Sequence, residues 1–229
     1  MVTRYKREKE SLYEERMAAT EFLRACEVND VDTVLAQIQS DPDLVNVVSE
    51  DGHCSALILA IRHGHDELLE ILLTQPNIDI NRSVNLRGSG VVFLHVTPLH
   101  YACMKNKASV VARLLQFPEL DLVARDNRGS TPAYWAVANG SRECLDLLAG
   151  DRRVDWWNYR SMSGKTPLYV AIYHGHVHIV QILLSIKDQD FCVKNDEEDT
   201  LAMLAVKNEN KVSQSESGGE ESELLSGIS

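Results

Sequence analysis

Long apolar runs are missing from this chain of 229 residues. No stretch approaches the roughly eighteen apolar residues that a membrane-crossing helix requires. The first seven residues, Met1-Val2-Thr3-Arg4-Tyr5-Lys6-Arg7, carry charge with no apolar segment behind it, so no secretory signal is expected there. Cysteine is sparse: five residues, odd in number, with no C-x-x-C spacing. A disulfide framework is therefore not expected, and Cys103 and Cys144 read as reduced thiols near packed helix positions. There is no basic stripe of the kind that marks a nucleic-acid footprint. Nucleotide and hydrolase signatures (the P-loop, G-x-G-x-x-G, G-x-S-x-G) are absent as well, and no nucleophile stands beside a base, so catalysis is not expected. His63-x-His65 and His174-x-His176-x-His178 look like metal ligands. A glycine splits each set at a turn, however, and such histidines are expected to bond nearby carbonyls, so neither metal nor cofactor is predicted.

What the chain does have is self-similarity. Thr97-Pro98-Leu99-His100-Tyr101-Ala102 returns as Thr131-Pro132-Ala133-Tyr134-Trp135-Ala136 and as Thr166-Pro167-Leu168-Tyr169-Val170-Ala171. Weaker copies are Ser55-Ala56-Leu57-Ile58-Leu59-Ala60 and Thr200-Leu201-Ala202-Met203-Leu204-Ala205. Counted between the final alanines, starting at Ala25, the intervals are 35, 42, 34, 35 and 34 residues. The leading Thr or Ser can accept a hydrogen bond from an orphan helix N–H, and Pro at the first helical position has no N–H to leave unsatisfied. Four residues after each alanine stands Asn29, Gly64, Asn106, Gly140 or Gly175, residue types that enter the left-handed region at low cost and reverse the chain. Apolar residues at helical spacing follow, as in Val177-His178-Ile179-Val180-Gln181-Ile182-Leu183-Leu184. Each unit thus predicts a helix, a tight turn, a second helix and a projecting loop.

A period near 33 with a T-P-L-H-x-A core resembles the ankyrin-repeat family. The resemblance implies an all-α solenoid of helix-turn-helix units with projecting β-hairpin-like finger loops. It covers residues 18–210 in about six repeats, the sixth incomplete. Residues 1–17 read as a charged helical extension; the spacing of Ser11-Leu12-Tyr13-Glu14 predicts a helix starting near Ser11, with Leu12, Ala19, Phe22, Leu23 and Cys26 inward. Residues 211–229 read as a disordered Ser, Glu and Gly tail. The net charge of −11 is concentrated at that end: residues 195–229 hold nine acids and two lysines, −7, leaving −4 for the rest.

Two places depart from the repeat. The interval of 42 residues puts an insert at residues 82–96, between the second and third units. Gly88-Ser89-Gly90 between β-prone runs predicts an elongated hairpin. Val91, Val92, Phe93 and Leu94 on it either meet a partner or fold back on the neighbouring fingers. The second departure is Asp155-Trp156-Trp157-Asn158-Tyr159. Aligned back from Gly164, Trp157 takes the buried place of Ile80 and Leu122, and Trp156 the place of Asp79 and Asp121. Trp156 is then part of a wider local core or an exposed anchor; Trp135 reads as core.

In the ankyrin family the first helices and the fingers line a concave groove that binds other proteins. Carried onto this chain, the groove positions are Arg62, His63, Met104, Lys105, Ala138, Asn139, Tyr173 and His174, with Asn127, Arg128, Met162, Ser163 and Lys165 on the fingers. The resemblance implies a non-catalytic adaptor or scaffold for one or more protein or peptide partners. Masking of a basic partner such as a transcription factor, or service as the ankyrin segment of a larger enzyme or ubiquitin ligase, are the rival readings. Such a chain is expected to be monomeric and intracellular, in the cytoplasm rather than the nucleus, with no nucleic-acid partner. Family analogy also marks Asn81 as a hydroxylation site, through Leu73, Asp79 and Ile80, and Ser213 and Ser217 precede acids as kinase sites do.

Overall fold

The computed structural model describes residues 2–87 and 92–186, with side chains from residue 13 onward. It divides into two compact units, one running to Leu86 and the other starting at Arg87. The sixth repeat, Ser213, Ser217 and Val91 lie outside the described residues.

In the first unit α1 (Val2–Glu27) precedes α2 (Val31–Ser40), and α3 (Ala56–His63) precedes α4 (Asp66–Leu73). The second unit holds α5 (Pro98–Met104), α6 (Ala108–Leu114), α7 (Pro132–Ala138), α8 (Arg142–Gly150), α9 (Pro167–Tyr173) and α10 (Val177–Ser185). β1 (Val84–Arg87) and β2 (Val92–Val96) form a two-stranded sheet, the hairpin expected of the insert. α1 begins well before Ser11 because nothing in residues 2–27 breaks it: the segment holds neither glycine nor proline. Phe22, Leu23 and Cys26 are buried as expected, and Ala19 is half-buried.

The caps form as their residue types require. Ser55, Thr97, Thr131 and Thr166 each accept the backbone N–H of the third residue on: Ile58, His100, Tyr134 and Tyr169. Asn29, Gly64, Asn106, Gly140 and Gly175 all take φ between 50° and 71° at the reversal. Small residues then let neighbouring helices approach: Ala60, Ala102, Ala136 and Ala171 are nearly or wholly inaccessible to solvent, beside Leu57, Leu99, Val137 and Leu168. Each Leu or Ile so buried contributes roughly 1.5–3 kcal/mol.

Polar ties join successive repeats within each unit. The turn histidines bond carbonyls, as expected, but those of the preceding repeat: His65 donates from Nδ1 to Cys26 O at 3.2 Å, and His176 from Nε2 to Ala138 O at 3.4 Å. Arg153, held by Asp151 at 2.7 Å, donates to Phe117 O at 2.8 Å and Leu115 O at 3.2 Å, beyond the end of α6. His100 is buried; its Nδ1 accepts the Thr97 N–H, so Nε2 carries the proton donated to Ser130 O at 3.1 Å. Burial holds that imidazole below its ordinary pKa.

Candidate functional site

The fingers are built on short polar turns, and the one at residues 126–130 is organised on a single carboxylate. Asp126 is buried there. Its Oδ1 accepts the backbone N–H groups of Arg128 and Ser130, both at 2.8 Å, and its Oδ2 accepts the indole N–H of Trp135 at 3.0 Å. Gly129 supplies φ 70° at the tip, where a Cβ would meet Met162 N at 3.0 Å. The Arg128 carbonyl then accepts the Met162 N–H at 2.8 Å, and Arg125 donates to Arg160 O at 3.0 Å, so this finger is tied to the next.

The insert folds back on the same finger. Leu94 and Asn127 exchange two bonds, Leu94 N to Asn127 Oδ1 and Asn127 N to Leu94 O, both 3.0 Å. The Phe93 ring meets Trp135 edge-on with centroids 4.8 Å apart, and the Arg128 guanidinium sits 4.6 Å from the Phe93 centroid. Phe93 and Leu94 are thereby half-buried, while Val92 stays 46% exposed.

These contacts bring six of the expected residues, Phe93, Arg128, Ala138, Asn139, Ser163 and Lys165, to one cleft of about 330 Å³. Its remaining wall is Ser130, Tyr134, Trp135 and Ser161. Asn139 caps α7 with its side chain donating to Trp135 O at 2.9 Å. Lys165 lies 5.7 Å and 5.6 Å from the ring centroids of Tyr169 and Tyr173, which stack on each other. Burial pushes the Tyr134 phenol pKa up, against the opposing effect of a hydrogen bond with Ser161. Beyond the cleft, Tyr173 and His174 are exposed and meet edge-on. His174 is pushed down by burial, then by His176 and Lys165. Tyr134 and Ser161 were not singled out from the sequence. Tyr134 was legible in principle, because it lies four residues before Ala138 and so on the same helix face.

Elsewhere the expected positions are scattered. Arg62 and His63 are exposed in the first unit, with Arg62 Nη1 3.7 Å from Cys54 Sγ and the His63 ring stacked on His65. Met104 is half-buried and Lys105 exposed at the end of α5; Asn127 and Met162 are exposed. Asn81 is half-buried, its N–H donated to Asp79 Oδ1 at 3.0 Å. Trp156 is corrected: it is 1% exposed, its indole N–H donated to Leu148 O at 3.0 Å, and so it is core rather than an anchor. The alignment misplaced the pair because Trp156–Asn158 forms a 3₁₀ turn, which rotates Trp156 inward and leaves Trp157 half-buried.

The first unit holds a larger cleft, about 910 Å³, between α1 and the finger at residues 47–54, which sequence reasoning missed. Its wall mixes acids and bases that compensate one another, as in Arg16 with Glu50 at 3.0 Å. Among the described residues no helix is long and apolar enough to cross a membrane, and no group of His, Cys, Asp and Glu is placed to hold a metal ion.

Comparison with known proteins accords with this architecture. The model for three-copy ankyrin repeats matches residues 84–160 and 152–214, and that for a single ankyrin repeat matches residues 52–85. SMC5-SMC6 complex localization factor protein 1 of Homo sapiens is 36% identical over 101 residues, 44% of this chain and 9% of that protein. NF-kappa-B inhibitor alpha of Sus scrofa is 31% identical over 146 residues, 61% of this chain and 43% of that protein. E3 ubiquitin-protein ligase KEG of Arabidopsis thaliana is 28% identical over 191 residues, 80% of this chain and 11% of that protein. The chain therefore spans less than half the length of each of these relatives.

Proposed function

Because this chain belongs to the ankyrin-repeat family, whose repeats are protein-interaction modules, we propose that it is a non-catalytic adaptor. In this reading it binds a segment of another protein in the cleft between the finger at residues 126–130 and helices α7 and α9. One observation carries the reading. Side chains on separate elements (Phe93 of β2, Arg128 of a finger, Asn139 at the end of α7, Lys165 before α9) converge on one cleft that the described residues leave open. Half-buried aromatic and exposed Arg groups gathered in this way are the composition of binding hot spots. Lys105 and Tyr173 extend the same surface along the helix ends, and the chain acts as a monomer.

The test is a photo-crosslinking amino acid placed at Asn139, compared with one at Glu67 on the exposed face of α4. Reproducible capture of one protein from position 139 and not from 67 is the expected result. Capture from 67 alone, or equal capture from both, sinks the reading.

The similarity to NF-kappa-B inhibitor alpha over 61% of the chain, together with the excess acid of residues 195–229, favours one second reading. Here the chain masks a basic partner, and deleting residues 211–229 removes a salt-sensitive part of the binding. Unchanged salt dependence after that deletion excludes it.

A further inference from the structure

The cleft is unevenly charged. Among the described residues its charged lining is Arg128 and Lys165, both cations, with no carboxylate in the wall. Neither cation has a carboxylate within ion-pair distance among the described residues. Aromatic faces hold them instead: Phe93 lies 4.6 Å from the Arg128 guanidinium, and Tyr169 and Tyr173 lie within 5.7 Å of Lys165 Nζ. Such support places a cation without consuming its hydrogen bonds, because a ring face accepts charge and offers no acceptor atom. The Tyr134, Ser161 and Ser163 hydroxyls, bonded among themselves, add a neutral polar strip, and Phe93, Trp135 and Ala138 an apolar wall.

We propose that the occupant is an extended segment of a partner protein that carries an Asp or Glu beside an apolar residue. The carboxylate meets Arg128 and Lys165, and the apolar side chain packs against Phe93 and Trp135. This rests on the cleft being a protein-binding surface, as argued above. Charge complementarity selects the acid: a carboxylate entering this site loses water and gains two cations, one of them a planar fork matched to it. A basic segment meets the two cations instead, offset only by the buried Asp126 behind the finger.

The experiment pans an unphosphorylated random peptide library displayed on phage against the intact chain. Its selections are compared with those on Arg128→Gln/Lys165→Gln and on the charge-matched control Lys107→Gln/Arg152→Gln. Lys107 and Arg152 are exposed and outside the cleft. Matching circular-dichroism melts establish that all three fold alike. The expected result is a consensus with one acid beside an apolar residue. Replacing that acid by its amide in the selected peptide lowers affinity at least about tenfold, as does the cleft variant and not the control. Added salt weakens the binding.

Selected peptides that need the cleft cations yet carry no acid overturn this inference and leave the cleft as a binding surface. Peptides indifferent to the cleft variant overturn both. Binding seen only after residues 211–229 are deleted overturns the partner in favour of the chain's own acids.

Discussion

Replacing Asp126 by Ala removes the acceptor on which one finger is organised. Three N–H donors lose their partner: the backbone groups of Arg128 and Ser130 and the indole of Trp135. Arg128 is exposed, so water replaces the carboxylate there. Ser130 and Trp135 are 5% and 8% exposed, so their donors are stranded. At about 1–3 kcal/mol for each stranded donor, the loss is about 2–6 kcal/mol, a large share of the roughly 5–15 kcal/mol that holds a typical domain. Asp126→Asn keeps an acceptor for the two backbone groups but turns an amide N–H₂ toward the indole N–H, and costs about 1–3 kcal/mol. Ser161→Ala is the internal control. Ser161 holds the corresponding place in the next finger, five residues before the capping threonine, and its hydroxyl bonds the Ser163 hydroxyl at 3.1 Å. It costs below about 1.5 kcal/mol. Urea unfolding followed by far-ultraviolet circular dichroism ranks the three, with hydrogen exchange at the Ser130 amide as a local readout. If Asp126→Ala unfolds at the same urea concentration as Ser161→Ala, the account of this finger is wrong.

Three further outcomes are expected. His95→Gly raises the urea midpoint. His95 sits at φ 62°, where left-handed strain of about 1–2 kcal/mol exceeds the roughly 0.5–1 kcal/mol of unfolded-state entropy that glycine adds; a lowered midpoint refutes this. His100 is held below its ordinary pKa of 6.5 by burial, so below that pH the unfolded chain binds a proton that the folded chain refuses. Stability is then full above pH 6.5 and falls as the pH drops below it; His100→Gln should lose less between pH 7.5 and 5.5, and equal losses refute the assignment. Among Cys26, Cys54, Cys103 and Cys144, only the half-buried Cys54 should be alkylated in the native chain, read by peptide mass spectrometry. Burial pushes the Cys26 thiol up to about 12 and the Cys103 thiol well above its ordinary value, so early labelling of either contradicts the packing.

Elements that repeat were legible because each residue type answers one local need. The capping threonines, the left-handed Asn and Gly and the small alanines all stand where the spacing puts them. What failed were features with no copy elsewhere in the chain. His95 takes the positive φ of the place that Gly129 and Gly164 hold two residues before the capping threonine, though its residue type departs from theirs. The Trp156–Trp157 pair could not be oriented by alignment, because a 3₁₀ turn shifts which side chain points inward. The cleft was half legible. Helix-end positions could be counted, but the return of Phe93 onto Trp135 is a tertiary contact between residues 42 positions apart, beyond the reach of any local pattern.

The backward-reaching bonds between repeats set a timetable for synthesis. Cys26 O, Leu115 O, Phe117 O and Ala138 O are each capped by a side chain that follows 36 to 39 positions later. At roughly 5–20 residues per second, that side chain leaves the ribosome about 2–8 s after the carbonyl it will cap. The first, third and fourth repeats thus emerge with a helix end uncapped that their successors complete, so maturation there trails translation by one repeat. A chain halted after Leu148 should show fast amide exchange at the end of the α6 turn, where Arg153 has yet to arrive, and slow exchange in α5 and the rest of α6.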